Sequence, residues 1–178
     1  VKWAAMLRGI NLGKRQLKSA ELKAVVESMG FTAVKTILAS GNVVFEAGDA
    51  EPEALERDLH AALEKATGLK SDVYVRNRAD LEKLVEANPF PKEAEERPSF
   101  LVVSFHRESP DQAAIDKLLE SYDGPERMVI LGRELFTDFP DGQGRSNLIP
   151  AMQKAKLSHA NTGRNWNTVL KLLAAVRA

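Results

Sequence analysis

Three polar segments of this 178-residue chain hold more arginine, asparagine and glycine than packing alone requires. The first is Arg8-Gly9-Ile10-Asn11-Leu12-Gly13-Lys14-Arg15. Its glycines let backbone amides turn outward, and Arg8, Asn11 and Lys14 beside them would suit an anion. A nucleotide-binding P-loop is excluded, because that motif needs four residues between its glycines and Ser or Thr after its lysine. Here three residues separate Gly9 from Gly13, and Arg15 follows Lys14. The competing reading is a connecting loop whose glycines simply allow its turns. The second segment, Ser40-Gly41-Asn42, is explained by hairpin chemistry alone.

The third segment is in two parts, Gly142-Gln143-Gly144-Arg145-Ser146 and Thr162-Gly163-Arg164-Asn165-Trp166-Asn167-Thr168. A helix is expected just after each arginine. A cation there opposes the positive end of the helix dipole, at a cost of a few tenths to about 1 kcal/mol. An anion seated between arginine and free backbone amides would remove the conflict. Alternatively Arg164 pairs with an acid elsewhere, Asn165 caps the helix and Trp166 packs in the core. The candidate anion-binding set is therefore Arg8, Asn11, Lys14, Arg145, Arg164 and Asn167. No nucleophile–base series or dinucleotide fingerprint accompanies it, so no catalytic residue is named. The chain has no cysteine, and His60, His106 and His159 stand far apart, so no metal site and no cofactor is expected.

The elements that must position these residues follow from periodicity. A short strand at 2–8 precedes a helix opened by Ser19, with Leu22, Val25, Val26 and Met29 at helical spacing. Strands at 33–39 and 42–46 flank Ser40-Gly41, a second helix starts at Pro52, and a strand at 71–76 closes the unit. The order β-α-β-β-α-β is that of ferredoxin-like folds, with the first strand between two neighbours. A junction helix at 80–87 ends at Asn88-Pro89, and the charged stretch 92–98 is expected to be a loop. A second cycle then starts: strand 99–106, helix 111–122, and a hairpin of 127–131 with 134–137 across Gly132-Arg133. Helices at about 147–156 and 165–176 follow, the last with Trp166, Val169, Leu170, Leu173 and Val176 on one face. The expectation is an α+β protein of two sub-domains with ferredoxin-like character. They are 1–76, and 77–178 as an incomplete β-α-β-β unit with C-terminal helices.

Charge is balanced overall but not along the chain. Residues 1–23 and 141–178 each carry +5, and residues 24–140 carry −10. Such asymmetry can mark an anion-binding surface shared by the two ends, or merely acidic helix faces in the middle. Aromatic residues make up 6% and are not interleaved with the cations, which argues against a stacking platform for single-stranded RNA. No apolar run spans a bilayer and no signal-peptide pattern opens the sequence, so a cytoplasmic location without membrane contact is expected.

The same stretches resemble a known family, domain-of-unknown-function family 1697, a mostly bacterial group. The resemblance rests on Met6–Asn11, on LASGNVVF at Leu38–Phe45, on DFPDGQGRSNL at Asp138–Leu148 and on TGRNWNTVLKL at Thr162–Leu172. Where the family usually shows a second glycine after Gly13, Lys14 stands here. The resemblance implies two partly ferredoxin-like α+β sub-domains, and it carries over no activity, substrate or cofactor. The leading functional expectation is a binding module for a phosphate-bearing small molecule or a nucleic-acid backbone. The others are an enzyme acting electrostatically through Arg, Asn and Lys, and a structural or partner-binding protein.

Overall fold

The computed structural model describes residues 1–9, 16–38, 41–157 and 161–178. Asn11, Gly13, Lys14, Ser40 and His159 lie outside the described residues. The chain divides into two units: Val1–Val85 with Leu170–Ala178, and Glu86–Val169.

The first unit contains β1 (Lys2–Leu7), α1 (Ser19–Ser28), β2 (Thr32–Thr36), β3 (Asn42–Glu46), α2 (Pro52–Thr67), β4 (Val73–Asn77) and α3 (Arg78–Glu86), the last ending at the boundary. Its antiparallel sheet has the order β2-β3-β1-β4, so β1 is paired on both sides, as expected. Strand alternation puts Trp3, Ala5 and Leu7 on the helix-covered face, beside Phe45 and Val43 of β3 and Val75 and Val73 of β4. Leu22, Val25 and Val26 of α1 and Leu55, Leu59 and Leu63 of α2 recur at helical spacing and bury against them. Burying each such side chain stabilises the unit by roughly 1.5–3 kcal/mol. Helix α2 stops at Gly68, whose φ of 76° is left-handed and whose N–H donates to the Glu64 carbonyl at 2.7 Å.

The β2–β3 connection is longer than the expected two-residue turn. Strand β2 ends at Thr36, and Ile37 N–H donates to the Asn42 backbone carbonyl at 2.9 Å while the Asn42 side-chain Nδ2 donates to the Ile37 carbonyl at 3.1 Å. Leu38 and Gly41 both have positive φ, 60° and 74°.

The second unit contains α4 (Pro91–Glu96), a 3-10 turn Pro98–Phe100, β5 (Leu101–His106), α5 (Gln112–Ser121), β6 (Arg127–Leu131), β7 (Glu134–Asp138), a 3-10 turn Gln143–Arg145, α6 (Leu148–Lys154) and β8 (Asn161–Asn165). Helix α7 (Trp166–Arg177) begins here and ends in the first unit's share of the chain. The sheet order β6-β7-β5-β8 is antiparallel throughout. Strand β8 occupies the position that β4 holds in the first sheet, so β-α-β-β-α-β is completed where an incomplete β-α-β-β unit was expected. Helix α4 replaces the loop expected at 92–98. Pro91 stands in its first turn, and the buried Glu93 accepts from Arg127 at 2.7 Å. The Arg127 guanidinium also lies 5.1 Å from the centre of the Phe90 ring. No helix among the described residues is long and apolar enough to cross a membrane.

Candidate functional site

The two sheets use the same register, which makes them comparable position by position. Trp3 pairs with Phe45 and Asn77, and Val102 pairs with Thr137 and Asn165. Ala5 pairs with Val43 and Val75, and Ser104 pairs with Leu135 and Gly163. Leu7 pairs with Val73, and His106 pairs with Asn161. Even the strand ends correspond. Asn77 Oδ1 accepts from Asp80 N–H at 2.8 Å, and Asn165 Oδ1 accepts from Thr168 N–H at 3.0 Å, so each asparagine caps the helix that follows.

Apart from that cap and Thr36 of the edge strand β2, the helix-facing surface of the first sheet is apolar. The same surface of the second carries Ser104, His106, Thr137, Asn161 and Gly163. Packing follows chemistry. Between helices and sheet the first unit leaves a void of about 10 Å³, lined by aliphatic side chains. The second unit leaves a cavity of about 290 Å³ at the corresponding place. Its floor is β5, β7 and β8, and Ile149 and Met152 of α6 and Gln143 of the preceding turn complete the lining. The cause is visible in the helices. Helix α2 has 16 residues and buries three leucines, whereas α6 has 7 residues and buries Leu148 alone.

Thr137 is 4% exposed, and neither its hydroxyl nor that of Ser104 makes a side-chain hydrogen bond among the described residues. Both hydroxyls border the cavity, where a molecule entering it can reach them. His106 and Leu135 also line an adjoining cavity of about 390 Å³, whose other walls include Arg107, Glu108, Asp111 and Ile115. Asp111 Oδ1 caps α5 there, accepting from Ala113 and Ala114 N–H at 3.0 and 3.3 Å.

A buried carboxylate secures the near end of α6. Glu126 accepts from the Tyr122 hydroxyl at 2.7 Å and the Ser146 hydroxyl at 2.6 Å, and Ser146 Oγ accepts from Leu148 N–H at 3.0 Å. Burial pushes the Glu126 carboxyl up, but the two hydroxyls outweigh it and hold its pKa below the usual range. Burial raises the Tyr122 pKa, and the neighbouring carboxylate adds to that.

Arg8 belongs to the first unit, where its N–H donates to the Asp72 carbonyl at 2.9 Å and its carbonyl accepts from Ser71 Oγ at 2.7 Å. Asn11 and Lys14 lie outside the described residues. Arg145 is exposed in the turn before α6, and Asn167 is exposed on α7. Arg164 lies in β8, directly before the Asn165 that caps α7, on the face opposite Gly163 and paired with Val103. Its guanidinium donates to Thr162 Oγ1 at 2.6 Å and to the Gly163 carbonyl at 2.8 Å, and burial pushes its pKa down to about 10. Sequence reasoning missed Ser104, His106, Thr137 and Asn161. The available signal was their polar character at alternate positions where the first repeat is apolar.

Strand order and register define an α+β chain of two ferredoxin-like units. The chain belongs to the family described as "Protein of unknown function (DUF1697)", which matches residues 1–136. The resembling stretches Asp138–Leu148 and Thr162–Leu172 lie beyond that match. Among solved structures, the conserved bacterial protein SP0830 from Streptococcus pneumoniae is similar at a TM-score of 0.78 and 19% identity, covering 99% of this chain and 98% of that one. The likeness is one of fold. Among curated proteins none matches this chain.

Proposed function

We propose that this chain is a binding module whose second unit holds a small polar organic molecule between its sheet and α6. One observation carries the reading: at matched positions the first sheet is apolar and filled, whereas the second is polar and open. Its volume and its mixture of aliphatic walls with a few hydrogen-bonding groups are those of small-ligand sites. A phosphate-bearing ligand is the second reading. It is favoured by Arg107 on the adjoining cavity and by exposed Arg145, two residues beyond Gln143.

A thermal-shift panel of paired compounds tests both readings: nucleosides with nucleotides, and sugars with sugar phosphates. A ligand specific to the folded state at a hundred times its Kd adds about 2.7 kcal/mol of stability. The expected result is stabilisation that Gly163→Val abolishes, with the phosphate adding affinity under the second reading alone. Stabilisation that survives in Gly163→Val, or none anywhere in the panel, contradicts a cavity ligand.

A further inference from the structure

The geometry points to a planar, uncharged molecule with an amide-like hydrogen-bonding edge as the ligand of this cavity, an inference that rests on the binding role proposed above. Charge is the first argument. Among the described residues, no Asp, Glu, Lys or Arg lines the inner cavity. An ion placed there would lose hydration without a counter-charge to replace it. Hydrogen-bonding type is the second. Thr137 and Gln143 each offer both a donor and an acceptor, which suits a ligand edge that carries both.

Shape is the third argument, and it turns on Gly163. Its φ is not left-handed, so the backbone does not demand glycine. A Cβ there would stand 3.2 Å from Val102 Cγ1 and 3.7 Å from Ser104 Oγ. Glycine inside a strand weakens it and often marks a place where a ligand approaches the backbone closely. The bare peptide of Gly163 and the aliphatic side chains of Ile149 and Met152 all line the cavity, so both a strand backbone and an aliphatic helix surface are offered to a flat ligand. Methionine adapts its shape to a ring face and packs well on aromatic surfaces.

The test uses nicotinamide and uracil as neutral planar probes. Nicotinate and orotate serve as their carboxylate counterparts, and cyclohexanecarboxamide as the non-planar amide. Affinities are read by ligand-observed NMR and by titration of backbone amide shifts. Nicotinamide or uracil should bind at least tenfold tighter than its carboxylate counterpart and than cyclohexanecarboxamide. Thr137→Val should weaken that binding about tenfold, and Gly163→Val should remove it. If Gly163→Val does not fold, Ile149→Trp fills the cavity from α6 and serves the same purpose. Equal or tighter binding of the carboxylates, or of cyclohexanecarboxamide, overturns the ligand class. So does Gly163-dependent binding of sugars with none of the planar amides, an outcome that leaves the binding module standing. If no probe and no panel compound binds in a Gly163-dependent way, both fall.

Discussion

Replacing Thr137 by valine separates a site residue from a core residue, because it keeps the side-chain shape and exchanges a hydroxyl for a methyl. Thr137 is 4% exposed, lies in β7 opposite Val102 and Met128, and lines the cavity with its hydroxyl unbonded among the described residues. The hydroxyl borders the cavity and is not sealed from it, so removing it relieves about 1 kcal/mol, the low end for an unbonded buried group. Burying the new methyl adds about 0.8 kcal/mol. Water in a cavity of this size recovers part of the hydroxyl's loss beforehand, so the net gain is about 1–2 kcal/mol. In a chain of this length each kcal/mol moves Tm by about 2–4 °C, which places Thr137→Val about 2–8 °C above the parent. Urea unfolding with an unchanged m-value is the assay, repeated with whichever ligand the panel yields. The account requires stability to rise while ligand affinity falls, the usual trade at a functional site. A loss of 1 kcal/mol or more without ligand would show that the hydroxyl serves the fold and not a ligand.

Asn165→Ala removes the cap of α7 and should cost about 1 kcal/mol in denaturant unfolding, and Asn77→Ala should cost a similar amount at the matching position. Glu126→Ala should cost about 2–3 kcal/mol at pH 7, because two hydroxyls lose a charged acceptor. The Glu126 pKa is lowered in the folded state, so its contribution is fully present above the unfolded glutamate pKa of about 4.3. The gap between parent and variant should therefore close as pH falls through the folded pKa, below the usual carboxylate range. Arg97→Ala strands the fully buried Asp138, which now accepts two bonds from Arg97 at 2.9 and 2.8 Å. The expected loss is about 3 kcal/mol by urea unfolding, and a loss under 1 kcal/mol would show that water replaces the arginine.

Strands β1, β3 and β5 were legible because apolar residues fill them, and α1, α2 and α7 because their buried residues recur at helical spacing. Strand β8 was not legible. Asn161, Gly163 and Asn165 line the cavity and Thr162 and Arg164 take the other face, so no apolar residue remains to show a period of two. Polar chemistry hid the strand and built the site at once. For the same reason Arg164 reads as a helix-start cation in sequence, whereas Asn165 alone marks the cap. Ser104 and Thr137 escaped notice because hydroxyl residues are ordinary in strands. Their meaning emerges from the register, which sets them against Ala5 and Phe45 of the first repeat. Helix α4 was masked by its charge: Glu93 reads as solvated, yet it is buried against Arg127.

The most direct test of the cavity's role is a backbone-amide NMR titration of the full chain with nicotinamide and uracil. The account predicts saturable shifts concentrated at Ser104, Thr137, Gly163 and the α6 residues Ile149 and Met152, and absent in Gly163→Val. Saturable shifts centred instead on Arg8 or Asn167, with those cavity amides unmoved, would contradict it.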